Sequence, residues 1–212
     1  MKYLACLFDF DYTLGDATEG IVASVNYALH RLNLPAAQRE EIRKTVGLTL
    51  SETFEQLTGI SDPAICTQYL GCFREKADEI MTVNTKLFPD TIQILEHLKS
   101  RNMKIGIVTT KYRYRIVEIL RKYKISQLVD VVIGGEDVKK AKPDPEGLLH
   151  ALEILDIPSE KALYVGDSLV DTKTAAAAGV DFIAVTTGTT CRAAFLDFPL
   201  KRVISGLSEL MD

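Results

Sequence analysis

The 212-residue chain has little of what several functions require. No apolar stretch approaches the roughly 20 residues of a membrane-spanning helix. Positive charge is not in excess either. The 25 Lys and Arg face 29 Asp and Glu, giving a formal net charge of −4 and a pI near 5.5, which leaves no electrostatic footprint for nucleic acid. Three histidines, His30, His97 and His150, stand alone in helical patterns and are assigned no chemistry. Four cysteines, Cys6, Cys66, Cys72 and Cys191, lack metal-ligand spacing and read as reduced thiols, the first three in packing positions. Internal repeats, low-complexity tracts and long linkers are missing too. What remains is 47% hydrophobic content, enough for one large domain or a core with a smaller insert. Met1-Lys2 lead straight into a strand that ends at an acidic cluster, so removing a signal peptide would destroy that cluster, and the cytoplasm is the expected compartment. Nothing in the sequence sets the oligomeric state; a monomer is compatible with it.

Carboxylates stand directly after apolar runs. Leu4-Ala5-Cys6-Leu7-Phe8 is followed without a spacer by Asp9-Phe10-Asp11-Tyr12-Thr13. A run apolar on both alternating faces reads as a buried parallel strand, and open α/β sheets bind ligands beyond the carboxyl ends of such strands. Residues two apart in an extended segment point the same way, so Asp9 and Asp11 share one small volume and repel. One of them is protonated, or a cation lies between them, or a substrate compensates. Lys161-Ala162-Leu163-Tyr164-Val165 repeats the arrangement, running into Gly166-Asp167-Ser168 and then Asp171. Four carboxylates make an oxygen-only donor set, which suits a hard cation, and Mg²⁺ is the choice.

Two further positions complete the pattern. Thr109 ends Ile105-Gly106-Ile107-Val108 and is followed by Thr110 and Lys111; its hydroxyl and the nearby backbone N–H groups can bind phosphoryl oxygens. Lys142 precedes Pro143-Asp144-Pro145-Glu146, where Asp144 is expected as an N-cap and Pro145 as the first helical residue. Each feature alone has a plainer reading: a loop acid, a helix cap, a solvated basic turn or an ordinary strand threonine. Their occurrence together, in order, at successive strand ends is what argues for a site.

This ordered set, Asp-x-Asp-x-Thr, then Thr109, then Lys142, then Gly166-Asp167-Ser168-x-x-Asp171, resembles the haloacid dehalogenase-like hydrolase superfamily over nearly the whole chain. The resemblance implies a Rossmann-like core, an aspartyl-phosphate intermediate on Asp9, and Mg²⁺ held by Asp9, the Asp11 carbonyl and Asp167. Asp171 would support the metal through water or an outer hydrogen bond. Asp11 would act as general acid and then base, and Lys142 would offset the repulsion between Asp9 and phosphate. The superfamily's dehalogenases and phosphonoacetaldehyde hydrolases lack an aspartate at the second position, so Asp11 points to phosphate-ester chemistry. Tyr12 departs from the glycine of most relatives, and its bulk is expected to narrow the site's mouth or alter how a cap closes.

Periodicity divides the chain. Ile21, Val25, Ala28, Leu29 and Leu32, then Ser51 to Leu57, then Ile65, Tyr69, Cys72, Phe73 and Ile80 follow helical spacing, and the pattern is helical up to Pro89. Beyond it, helix 90–100, strand 104–108, helix 113–123, strand 130–133, helix 145–155, strand 162–165, helix 169–178 and strand 182–185 alternate, the mark of a parallel sheet. The expected fold is therefore α/β, a Rossmann-like core of residues 1–15 and 86–212 with an all-α cap inserted over 16–85. The 43–50 segment, with Gly47 free to turn its backbone, is expected to be a specificity loop or a plain helix connection. Within the resembled superfamily, this cap placement and the Val46 to Phe54 run look most like phosphoglycolate phosphatases, which act on a small phosphorylated metabolite. β-Phosphoglucomutase-type enzymes, inorganic pyrophosphatases and a non-catalytic phosphate-binding module are the alternatives; mutase relatives carry a histidine soon after the first motif, and Asp16 to Ile21 has none.

Overall fold

The computed structural model describes residues 2–211, which divide into two compact units, residues 2–16 with 87–211 and residues 17–86. In the first unit six parallel strands form one sheet in the order β5-β4-β1-β6-β7-β8: β1 (Ala5–Phe8), β4 (Lys104–Val108), β5 (Val131–Ile133), β6 (Ala162–Gly166), β7 (Asp181–Val185) and β8 (Arg202–Ile204). β1 is flanked by β4 and β6, with Phe8 in register with Ile107 on one side and Val165 on the other. The chain builds outward to β5 on one side of β1 and then resumes on the other at β6. That reversal makes the carboxyl end of β1 a topological switch point, where a crevice opens because the connections leave in opposite directions.

Both faces of the sheet are covered, which is why its strands read as continuous apolar runs. Cys6, Phe8, Ile105, Ile107, Leu163, Val165, Ile183 and Val185 share one buried layer with Ile94, Leu95 and Leu98 of helix α5 (Thr91–Ser100) and Ile116, Ile119 and Leu120 of α6 (Arg113–Lys122). Ala5, Leu7, Val108, Tyr164, Phe182 and Ala184 form the other with Leu148, Ala151 and Leu152 of α7 (Glu146–Leu155), Ala175 and Ala178 of α8 (Leu169–Ala178) and Phe195 of α9 (Arg192–Phe195). Adjacent residues of a strand alternate between these layers, as the pleat requires.

The second unit is helical: α1 (Thr18–Arg31), α2 (Arg39–Arg43), α3 (Leu50–Thr58) and α4 (Pro63–Asn84). Val25, Ala28, Leu29, Ile42, Phe54, Tyr69, Phe73, Ala77 and Met81 form its core, with the Tyr69 ring stacked on Phe54 at 4.7 Å between centroids. Thr49 caps α3 through a reciprocal exchange with Glu52, and Asp62 caps α4 with its carboxylate on two backbone N–H groups.

Several expectations need correction. The segment before Pro89 is not helical throughout, because β2 (Gly15–Asp16) and β3 (Lys86–Leu87) pair as a short ribbon. Helix α7 starts at Glu146, one residue after the expected proline; Pro145 occupies the capping position and Asp144 Oδ1 accepts the Glu146 N–H at 3.0 Å. Strands β5, β6 and β7 and helices α5 and α6 differ from expectation by a residue at one end, and α2, α9 and β8 lie outside the expected set. All four cysteines are free thiols, Cys6 buried and Cys191 exposed. Among the described residues no helix is long and apolar enough to cross a membrane.

Candidate active site

Asp9 follows the last residue of β1, held by its N–H on the Val165 carbonyl at 2.9 Å. Asp167 follows β6, and Thr109 follows β4 with its N–H on the Ile133 carbonyl at 3.0 Å. The sheet's register therefore brings three chain-distant residues to one edge. Lys142 joins them from the loop before α7: its Nζ lies 3.0 Å from Asp9 Oδ1 and 2.7 Å from Asp171 Oδ1, with the lysine side chain 6% exposed. Asp9, Asp167 and Asp171 each offer a carboxylate oxygen within 4.8 Å of the others.

Asp171 is tied down on both oxygens. Oδ1 accepts from Lys142 and from the Tyr164 hydroxyl at 2.9 Å, while Oδ2 accepts from the Ser168 hydroxyl at 2.5 Å and the Ser168 N–H at 3.2 Å. The Ser168 N–H bond, with the Asp171 N–H donating back to Ser168 Oγ at 3.1 Å, makes the capping box that starts α8, so the same residues that begin the helix also aim a carboxylate at the lysine. The expected role of Asp171, support of a metal through water or an outer hydrogen bond, does not include this lysine bond.

Burial dominates the electrostatics. It pushes the Asp9 carboxyl up to about 7 against the pull of Lys142, with the Asp171 and Asp11 charges adding to the rise. Asp167 is also held well above the usual carboxylate range, first by burial and then by Asp171 and Asp9. Lys142 stays protonated despite its burial, because Asp171 and Asp9 face it. Three carboxylates this close form an oxygen donor set of the kind a hard cation could neutralise.

Asp11 has Oδ2 3.1 Å from Lys111 Nζ, and among the described residues its buried Oδ1 has no hydrogen-bond partner. Lys111 has no role in the sequence pattern, and with it the four carboxylates face two lysines rather than one. Thr109 Oγ1 accepts the Lys111 N–H at 3.2 Å, and Thr110 lies between them on the turn. Tyr12 adopts a left-handed φ of 60°, the conformation that favours glycine, and the residue is 4% exposed. Gly188, also unforeseen, passes so close to Asp167 that a Cβ there would lie 1.8 Å from Oδ2. Gly47 belongs to the helical unit, in the turn between α2 and α3, with φ 98°.

The model of the haloacid dehalogenase-like hydrolase family matches residues 6–185. The chain belongs to that family. A pyrophosphatase PpaX of Bacillus mycoides is 31% identical over 211 residues, covering all of this chain and 96% of the relative. A crystal structure from Bacteroides fragilis, assigned provisionally as a haloacid dehalogenase-like hydrolase, is 46% identical with a TM-score of 0.96 and covers 99% of this chain and 100% of that one. Another from Lactobacillus plantarum, assigned provisionally as a phosphoglycolate phosphatase, is 25% identical with a TM-score of 0.84 over 100% and 99% of the two chains. The expected fold class and enzyme class, a hydrolase of the phosphatase kind, agree with the family and with these relatives.

Proposed function

We propose that this chain is a cytoplasmic, Mg²⁺-dependent phosphatase that hydrolyses a small phosphorylated metabolite through an aspartyl phosphate on Asp9. The observation that carries the reading is a buried carboxylate at the switch point of a parallel sheet, 3.0 Å from a buried lysine and beside a second unneutralised acid, Asp167. The donor set fits magnesium: the Asp9 and Asp167 carboxylates and the Asp11 backbone carbonyl would hold it, with Asp171 serving Lys142. When bound, the ion supplies positive charge to the transferring phosphoryl oxygens.

The chain's own residues divide the work as follows. Asp9 attacks phosphorus, forming an O–P bond as the bond to the leaving oxygen breaks. Lys142 lowers the repulsion between that carboxylate and the incoming anion, and the Thr109 hydroxyl with the Thr110 region binds phosphoryl oxygens. Asp11 gives a proton to the leaving oxygen. It then takes one from a water that attacks the aspartyl phosphate, releasing inorganic phosphate and restoring Asp9. The helical unit, which departs after Asp16 and returns at Leu87, is proposed as a cap whose 43–50 segment, including Gly47, contributes recognition.

A second reading, hydrolysis of inorganic pyrophosphate, draws on the full-length relatives named pyrophosphatase. Both readings require the same covalent intermediate. Acid quenching during turnover of an aryl phosphate with Mg²⁺ should trap phosphate on the peptide that contains Asp9, detectable by mass spectrometry. Near wild-type turnover by folded Asp9→Asn protein would remove the covalent mechanism.

A further inference from the structure

The mechanism above leaves the cation beside Asp11 without a task. Lys111 Nζ lies 3.1 Å from Asp11 Oδ2, with the two side chains 6% and 11% exposed. The lysine's backbone is braced from several sides: its N–H donates to Thr109 Oγ1 at 3.2 Å, its carbonyl accepts the Gly135 N–H at 3.1 Å, and two residues on, the Arg113 N–H donates to both Glu136 carboxylate oxygens at 2.9 Å. Its ammonium is thus placed by a fixed loop rather than by a solvated surface arm.

A pair buried this far gains little by itself, because the cost of taking both charges out of water roughly offsets their attraction. The other Asp11 oxygen sharpens the question. Oδ1 is buried with no hydrogen-bond partner among the described residues, and the donor that such an acceptor calls for is, on the proposed mechanism, the leaving oxygen's O–H once Asp11 has given up its proton. The two lysines also serve different carboxylates: Lys142 pairs with Asp9, on the side of the transferring phosphoryl, and Lys111 pairs with Asp11, on the side of the leaving oxygen.

We propose that Lys111 is a substrate-binding residue for an anionic group carried by the leaving group. The preferred substrates are therefore phosphoryl compounds whose leaving group bears a second negative charge of its own. A phosphate in that place makes the substrate pyrophosphate, and a carboxylate makes it a phosphoglycolate-like ester. This rests on the reading of Asp11 as the group facing the leaving oxygen. An ammonium fixed at that position attracts either anion and gives nothing to a neutral alkyl group.

The test compares kcat/KM for pyrophosphate, phosphoglycolate and ethyl phosphate, the last matching phosphoglycolate in size without its carboxylate. Lys111→Met should lower kcat/KM by about 10²- to 10³-fold on the better of the two dianionic-type substrates, and by less than about tenfold on ethyl phosphate. Lys111→Arg should retain the wild-type preference. The wild-type ratio of pyrophosphate to phosphoglycolate identifies which anion is taken. An equal loss on all three substrates would show that Lys111 acts only by positioning Asp11 and would overturn the proposal, as would no loss on any. Independently of turnover, methylenediphosphonate should raise the melting temperature of Mg²⁺-loaded wild-type protein at concentrations at least about tenfold below those methylphosphonate needs; equal potency overturns the proposal even if Lys111→Met fails to fold. Wild-type protein that turns over none of the three substrates yet shows this binding preference would contradict the phosphatase reading while leaving Lys111 as an anion-binding residue.

Discussion

Asp171 Oδ1 lies 2.7 Å from Lys142 Nζ, a shorter approach than the 3.0 Å between that lysine and Asp9. With its other oxygen held by Ser168, Asp171 acts as the anchor that keeps Lys142 extended toward Asp9. Asp171→Asn keeps the shape but removes the charge and presents an amide to the Ser168 donors. The expected result is a fall in kcat of about 10- to 100-fold with the Mg²⁺ concentration for half-maximal activity changed by less than about threefold. A shift of tenfold or more in that concentration, with kcat preserved, would instead place Asp171 in the metal's coordination. Lys142→Met goes further, since it strands two buried carboxylates, and should destabilise the metal-free protein by about 3 kcal/mol or more in denaturant unfolding.

The Asp9 carboxyl makes stability depend on pH in a definite direction. Burial raises it from 3.8 to about 7 in the folded chain. Between those values the folded state keeps a proton that the unfolded state has released, so stability is full below 3.8 and declines as pH rises through 7. Asp167, raised for the same cause, adds in the same sense. Metal-free Asp9→Asn protein should therefore be more stable than wild type at pH 8 by roughly 2–4 kcal/mol, and its melting temperature should change less between pH 5 and 8. Added Mg²⁺ should raise the wild-type melting temperature more at pH 8 than at pH 5.5, because the cation and the proton compete for the same carboxylates. Equal magnesium shifts at the two pH values would count against Asp9 as a ligand.

Gly188 marks where backbone rather than side chain shapes the site. Any Cβ at this position would overlap Asp167 Oδ2, so the carboxylate or the backbone at Gly188 would have to shift. Gly188→Ala should raise the Mg²⁺ requirement by about tenfold or more, whereas Ala at Gly71, where a Cβ meets nothing within 4 Å, should leave it unchanged. Titrating activity against Mg²⁺ in both variants reads the difference.

Much of the core was legible because buried parallel strands write themselves as apolar runs and the acids stand directly at their ends. The strand from Lys104 to Val108 and the helix from Leu169 to Ala178 appear with the expected bounds. What escaped has physical reasons. Lys111 looks like any loop lysine until the fold of residues 109–113 turns it inward onto Asp11. Gly188 carries no side chain to advertise its closeness to Asp167, and the contact spans chain-distant segments. β8 has three residues and α2 five, too few for a period to emerge, while β2 and β3 exist only by pairing with each other. The partner chosen by Asp171 depends on which way one carboxylate points, and spacing alone does not encode that.

The turn between α2 and α3 tests whether recognition resides in the helical unit. Gly47 holds φ at 98°, while a Cβ there would touch nothing within 4 Å, so its role is conformational rather than one of space. Neighbouring anchors fix the turn on either side: the buried Thr45 donates its hydroxyl to the Ile42 carbonyl at 2.8 Å, and Thr49 begins α3 with its capping box. Gly47→Ala should strain only this short stretch and cost about 1–2 kcal/mol in stability, leaving the Asp9 chemistry untouched. If the 43–50 segment contributes recognition, kcat/KM for the preferred metabolite should fall by about tenfold while an aryl phosphate is turned over nearly as before. Measured across a panel of phosphate esters, an unchanged order and spacing of kcat/KM values would remove this turn from substrate selection.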